Sequence, residues 1–167
     1  MPSIIVILDD YREGSNGKVQ DHAEAVKWYR KAADLGYSYA QARLGECFCE
    51  GQGVEQDFSK AINWCKKAAE QGDVLGMKQL SICYMLYSNP FHDPKEALKW
   101  GMLAAEQGDA WAAFWVGLTY EQIETCFPEI SLDLPSGTTV YDEKKKWFSK
   151  AAAAGYKGAK DKLKELD

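Results

Sequence analysis

One segment of nine residues is written four times along this chain. It appears as WYRKAADLG from Trp28 to Gly36 and as WCKKAAEQG from Trp64 to Gly72. It returns as WGMLAAEQG from Trp100 to Gly108 and as WFSKAAAAG from Trp147 to Gly155. The first three copies are spaced by 36 residues, and the fourth follows after 47. A fixed period of this size marks stacked supersecondary units, none of which can bury its apolar face alone.

Each copy is preceded by a second periodic stretch. After Gly36 come Ala40, Leu44 and Phe48; after Gly72 come Gly76, Leu80 and Tyr84; after Gly108 come Ala112, Val116 and Tyr120. These are i, i+4, i+8 stripes, one apolar face of an α-helix. Their first members are small, which lets neighbouring backbones approach, and Gly45 and Gly117 suit places where another helix crosses. The glycines of Gly51-Gln52-Gly53-Val54 favour a turn. Asp21, Asp57 and Asp93 then stand where N-caps belong, with Pro94 at a first helical position. Ala25 and Trp28, Ala61 and Trp64, and Ala97 and Trp100 are the next positions expected to face inward. The glycine closing each copy reads as a helix stop. Each unit is therefore a helix pair.

The pattern A-x-x-x-L-G, G-x-G-V, D-x-x-x-A-x-x-W-x-x-K-A-A-x-x-G resembles the Sel-one-like repeat (SLR) family, relatives of the tetratricopeptide repeats. The match is densest from Ala40 to Gly72 and thins toward both ends. The resemblance implies an all-α fold, a right-handed α-solenoid (α/α superhelix) of antiparallel helix pairs. About four repeats are expected in a single domain over 1–167, at roughly 4–36, 37–72, 73–108 and 109–155, with a capping helix over 156–167. Three departures stand out. Ile4 to Tyr11 fills the place of a first helix, with Ile7 and Tyr11 at the Leu44 and Phe48 slots, but its β-branched residues favour a short or frayed one. The third unit has Tyr87-Ser88-Asn89-Pro90 in place of the Gly-x-Gly turn, where Asn89 could take the left-handed conformation. The fourth carries eleven extra residues within 121–141, and Lys144 replaces the alanine of Ala25, Ala61 and Ala97.

Composition excludes several function classes. With 25 acidic against 20 basic residues and a net charge of −5, nothing draws the chain to nucleic acid or an anionic membrane. The lysines at 144, 145 and 146, beside Asp142 and Glu143, read as a solvated helix face. The longest apolar run, Ile4 to Leu8, is far short of the ~20 residues that span a bilayer, and no basic residue precedes it as in a secretory leader. A cytoplasmic location is expected, or a periplasmic or secreted one if a leader has been removed. Five cysteines cannot all pair. Cys47 and Cys83 hold one slot in successive repeats, and helices roughly 8–10 Å apart place such positions beyond the ~7 Å a disulfide tolerates. Reduced, mostly buried thiols are expected.

Catalysis has little to stand on. His22 and His92 fall in turns beside N-caps and read as exposed. Gly51-Gln52-Gly53 lacks the following GK[ST] of a phosphate loop, and no metal-ligand spacing occurs. No catalytic residue, cofactor or metal is predicted.

The anomaly is a second stripe in the first helix of the fourth unit. Trp111, Phe114, Trp115 and Leu118 lie opposite its core stripe, where the second unit has Tyr39, Ala42, Arg43 and Glu46, and the third Leu75, Lys78, Gln79 and Ile82. Tryptophan anchors are hot-spot material. The resemblance implies that first helices line a concave groove, so Trp111, Phe114, Trp115 and Leu118 would anchor a partner protein or peptide. Tyr39, Lys78 and Ile82 would extend the trough, with Glu46 and Glu50 adding negative charge. Alternatively, the loop residues Phe127, Ile130, Leu132 and Leu134 fold back over the stripe, or neighbouring helices press on it. The family implies an adaptor or scaffold, or in bacteria an immunity or inhibitor protein for a secreted effector. Competing expectations are a cell-wall or β-lactam hydrolase and a purely structural module.

Overall fold

The computed structural model describes residues 21–166; the expected first helix over Ile4 to Tyr11 lies outside them. The described residues form eight α-helices and no strand. They are α1 (His22–Asp34), α2 (Ser38–Glu50), α3 (Phe58–Glu70), α4 (Val74–Met85), α5 (Pro94–Glu106), α6 (Ala110–Cys126), α7 (Val140–Ala153) and α8 (Lys157–Leu166).

The punctuation is local. Asp57 accepts from the Lys60 amide at 2.9 Å, and Asp93 from the Lys95 and Glu96 amides at 3.0 and 3.2 Å. Asp21 accepts from the Glu24 amide at 3.0 Å. Each satisfies amides that a helix start leaves without a partner. At the other end Gly36 takes φ +92° and Gly72 φ +83°. The Gly36 amide donates to Ala33 O and the Tyr37 amide to Ala32 O, and the Gly72 and Asp73 amides do the same to Ala69 O and Ala68 O. That is a Schellman stop, and it needs the left-handed glycine. In the third turn Asn89 stops the chain by another device. Buried at 2 % exposure, it accepts from the Phe91 amide through its side chain and from the His92 amide through its carbonyl.

The chain divides into two compact units, Met1–Cys83 and Tyr84–Asp167, the boundary falling inside α4. In the N-terminal unit α1 packs on α2 and α2 on α3. Its core collects Tyr29, Ala40, Leu44, Phe48, Ala61, Cys65 and Leu80. Gly45 lies so near α3 that a Cβ there would fall 2.3 Å from Cys65 Sγ and 3.0 Å from the Ala61 carbonyl. In the C-terminal unit α5 packs on α6, α6 on α7, and α7 on α8. Ala97, Ala112, Val116, Tyr120, Phe148 and Ala159 form its centre, and a Cβ on Gly117 would strike the Phe148 ring at 2.5 Å. Small residues at 45 and 117 thus set the helix approach in both units.

The tryptophans correct an expectation. Trp28, Trp64 and Trp100 are half-buried rather than in the core, and only Trp147 is buried. The deep position is the following residue: Tyr29, Cys65, Gly101 or Phe148. An indole N–H needs a polar partner wherever the ring lies. Trp28, Trp100 and Trp147 donate at 3.0 Å to Glu24, Glu96 and Glu143, one helical turn back. Lys31, Lys67, Lys99 and Lys150 lie over the four rings, 4.1 to 5.5 Å from the centroids.

The lysine run is also corrected. Lys146 pairs with Glu143 at 3.0 Å, as Lys27 does with Glu24 and Lys99 with Glu96 at 2.9 Å. Lys144, however, is only 7 % exposed and its ammonium meets Glu124. The extra turn that carries α6 to Cys126 supplies this carboxylate. The inserted residues and the lysine in an alanine slot are therefore one feature: a near-buried charge needs its counter-ion close by.

Candidate functional site

The second stripe of α6 is held by a helix that Asp109 caps at the Ala112 amide, 2.7 Å. Trp111, Phe114, Trp115 and Leu118 are all half-buried. Trp111 and Trp115, one turn apart, stack with ring centroids 5.3 Å apart and planes at 10°. Such i, i+4 pairs meet because helical side chains lean over the preceding turn.

Phe114 is drawn the other way. Its ring stacks on Tyr156 at 4.6 Å and tilts against Phe148 at 5.5 Å, and Gly158 lies close above it. The start of α8 therefore covers this part of the stripe. The loop goes elsewhere: Phe127, Ile130, Leu132 and Leu134 surround a hollow with Ile123 and Val140 at the end of α6. Phe127 also stacks on Tyr87, centroids 5.4 Å apart, and tilts against His92 at 5.0 Å. His92 is thus no exposed turn residue. It lies half-buried, stacked on Tyr87 at 5.1 Å, with Nε2 enclosed and lacking a hydrogen-bond partner. His22 is half-buried too, at the start of α1.

Beside the tryptophan pair lies a depression between α6 and α8. Trp115, Leu118 and Thr119 line it with Glu121, Gln122, Thr125 and Lys162. Lys162 reaches Glu165 at 3.0 Å and Glu121 at 3.2 Å. The Glu165 carboxylate, with help from Glu121, raises the Lys162 pKa above the ordinary lysine value. The result is an apolar floor with a charged rim. Lys162 was legible in the sequence only as a polar residue of the terminal helix; its distance from Glu121 in the chain hid the pairing.

In the N-terminal unit the predicted contacts form their own cluster. Arg43 donates from Nε to Tyr39 Oη and from a terminal nitrogen to Glu46, both at 2.9 Å. Its guanidinium carbon lies 5.0 Å from the Tyr39 ring centroid. Glu46 is therefore a paired charge rather than a loose one. Lys78 and Ile82 are half-buried on α4, and Glu50 is exposed. Among the described residues no group of three or more His, Cys, Asp or Glu side chains could hold a metal ion. No described helix is long and apolar enough to cross a membrane.

A family model for the Sel1 repeat matches residues 11–37, 38–73, 75–109 and 145–156. The chain belongs to the Sel1 repeat family, and its fold is a solenoid of helical repeats. A protective antigen of uropathogenic Escherichia coli displaying an SLR fold is 31% identical, with a TM-score of 0.77 over 99% of this chain and 33% of its own. A Sel1 repeat protein of Oxalobacter formigenes is also 31% identical, with a TM-score of 0.75 over 96% of this chain and 60% of its own. The chain thus spans a third of one relative and three fifths of the other. An immunity protein of Pseudomonas aeruginosa reaches only 18% identity and a TM-score of 0.41, over 95% of this chain and 69% of its own, too distant to bear on function. Comparison with curated proteins gives no match. Sel1 repeats generally mediate protein–protein interaction, and the family fold is not typically enzymatic.

Proposed function

We propose that this chain is a non-enzymatic interaction module that binds another protein or peptide through the outward stripes of its first helices. The observation that carries this reading is the Trp111–Trp115 stack, half-buried beside a depression whose floor is Trp115 and Leu118. A stacked aromatic pair offers large apolar area that loses little conformational entropy when a partner covers it. The rim of Glu121, Gln122, Thr125 and Lys162 supplies polar groups around that centre, the anatomy of a protein interface. In the N-terminal unit the contacts are Tyr39, Glu46, Lys78 and Ile82.

Affinity capture from the native source, using the full chain as bait, tests the assignment. A Trp115→Glu, Leu118→Lys double variant leaves Phe114 on Tyr156 and should keep the helical circular dichroism of the parent. Loss of two hot-spot residues weakens partner capture by at least about 30-fold. Unchanged capture by a folded double variant would show that the α6 stripe is not the contact.

A further inference from the structure

The core of the N-terminal unit holds a feature that partner binding does not use. Cys83 on α4 donates its S–H to Cys49 Sγ on α2, with the sulfurs 2.8 Å apart. Both residues are buried, at 0 % and 2 % exposure, and Cys65 is buried in α3 under Gly45. All five cysteines are thiols. Sulfurs at this separation are already inside van der Waals contact, and a disulfide bond of about 2.05 Å needs less than an ångström of further approach.

We propose that Cys49 and Cys83 are a redox-active pair that closes to a disulfide when hydrogen peroxide reaches the core of the N-terminal unit. Cys49 is the attacking sulfur. The hydrogen bond from Cys83 holds the Cys49 thiol below its ordinary pKa, while donating that bond, together with burial, pushes Cys83 up. The Cys49 thiolate attacks one peroxide oxygen and breaks the O–O bond. A sulfenic acid forms, and the departing hydroxide leaves as water with the proton Cys49 had given up. Cys83 sulfur then attacks Cys49 Sγ, the S–O bond breaks, and the hydroxyl departs as water with the Cys83 proton. Two thiols lose two electrons and two protons, and peroxide is reduced to two waters.

The bond would tie α2 to α4 around the whole of α3 (Phe58–Glu70), fixing two successive first helices to one another. Cross-linking removes freedom mainly from the unfolded chain, so the oxidised protein should melt about 5–10 °C higher, reversibly with dithiothreitol.

The test is made on the full chain, with one equivalent of hydrogen peroxide followed by unfolding, iodoacetamide and peptide mapping. The expected result is a cross-linked peptide pair containing Cys49 and Cys83, absent after dithiothreitol and still present in a Cys65→Ala variant. Three results would overturn the proposal: full alkylation of both cysteines, Cys49 joined to another cysteine, or Cys49 carried on to sulfinic acid with Cys83 still alkylated. All three are read on wild-type protein, so they do not depend on a variant folding.

Discussion

The helices α2 and α6 hold equivalent slots and have different surfaces. Tyr39, Arg43 and Glu46 on α2 correspond to Trp111, Trp115 and Leu118 on α6. On α2 the arginine lies over the tyrosine ring, donates to its hydroxyl and pairs with the glutamate, so the polar groups satisfy one another within the helix. On α6 a second indole takes the arginine's place, and the stack leaves apolar surface beside a charged rim. One backbone plan thus carries a self-contained polar cluster in one unit and an aromatic, largely apolar face in the other. What differs is side-chain chemistry at positions the core leaves unspecified.

The sharpest way to break the comparison is to exchange the slot behind these faces. Ala61 is fully buried, and the position equivalent to Glu124 is Gln52, beyond the end of α2 at Glu50. Ala61→Lys should therefore lose about 3–5 kcal/mol in urea unfolding, as a buried charge without a counter-ion does. Lys144→Ala, which restores the repeat residue, should stay within about 1 kcal/mol. Equal effects from the two would show that Glu124 does not matter to Lys144.

Next in size are the glycines where helices meet. Gly45→Ala and Gly117→Ala should each cost about 1–3 kcal/mol by overpacking. Adding Cys65→Ala to Gly45→Ala should recover part of the loss, because the nearest obstacle is that sulfur while the Ala61 carbonyl at 3.0 Å remains. At Gly117 the obstacle is the buried Phe148 ring, and Cys65→Ala should recover nothing.

A smaller effect on stability, with a larger one on binding, is expected from Trp115→Arg. Arginine can lie over Trp111 as Arg43 lies over Tyr39, so unfolding should move by less than about 1 kcal/mol. Partner capture should fall by at least about tenfold. A variant that keeps its partner would make the two faces equivalent in function despite their chemistry.

The smallest effect concerns the helix starts of the two units. Asp57 is held below the ordinary aspartate pKa by its bond with the Lys60 side chain and by the Lys60 amide. Asp142 is held down by the Thr139 hydroxyl and amide in a capping box. A carboxylate whose folded pKa is depressed stabilises above its unfolded value, and the contribution disappears as pH falls through the folded one. Both should titrate below the ordinary aspartate value by NMR, and their contribution to stability should fall as pH drops through the acid range toward the folded pKa. Asp57→Asn, which keeps the cap but not the charge, should flatten that acid limb. An unchanged limb would show that its charge contributes nothing.

Much of the fold was legible because its signals are short-range. Asp57, Asp93 and the glycines at 36 and 72 act on neighbours within a turn, and the Leu44, Leu80 and Val116 stripes bury as their spacing demands. Trp28 and Trp100 misled because their size suggests a core, whereas they lie half-buried with the indole N–H on Glu24 and Glu96. Lys144 gave two opposing signals. Its slot indicated burial and its charged neighbours indicated solvent; the slot won because a distant residue, Glu124, supplied the charge. The Cys49–Cys83 approach escaped because comparing equivalent slots pairs Cys83 with Cys47, while α2 and α4 bring together positions 34 residues apart. On the α6 face the tryptophans could be seen in the sequence. That Phe114 would be taken by Tyr156 could not, since nothing local links them.

The glycine stops have one more consequence. At Gly36, Gly72 and Gly155 an added Cβ would meet open space, and the stop is closed by backbone bonds alone, from the glycine amide and from the Tyr37, Asp73 or Tyr156 amide that follows it. Each hairpin's full stop is thus completed by the backbone of the residue that opens the next, an amide that any residue except proline supplies. A duplication that copied one hairpin would import its terminator intact, so an array of this kind can grow or shrink by whole modules without rewriting the flanking text.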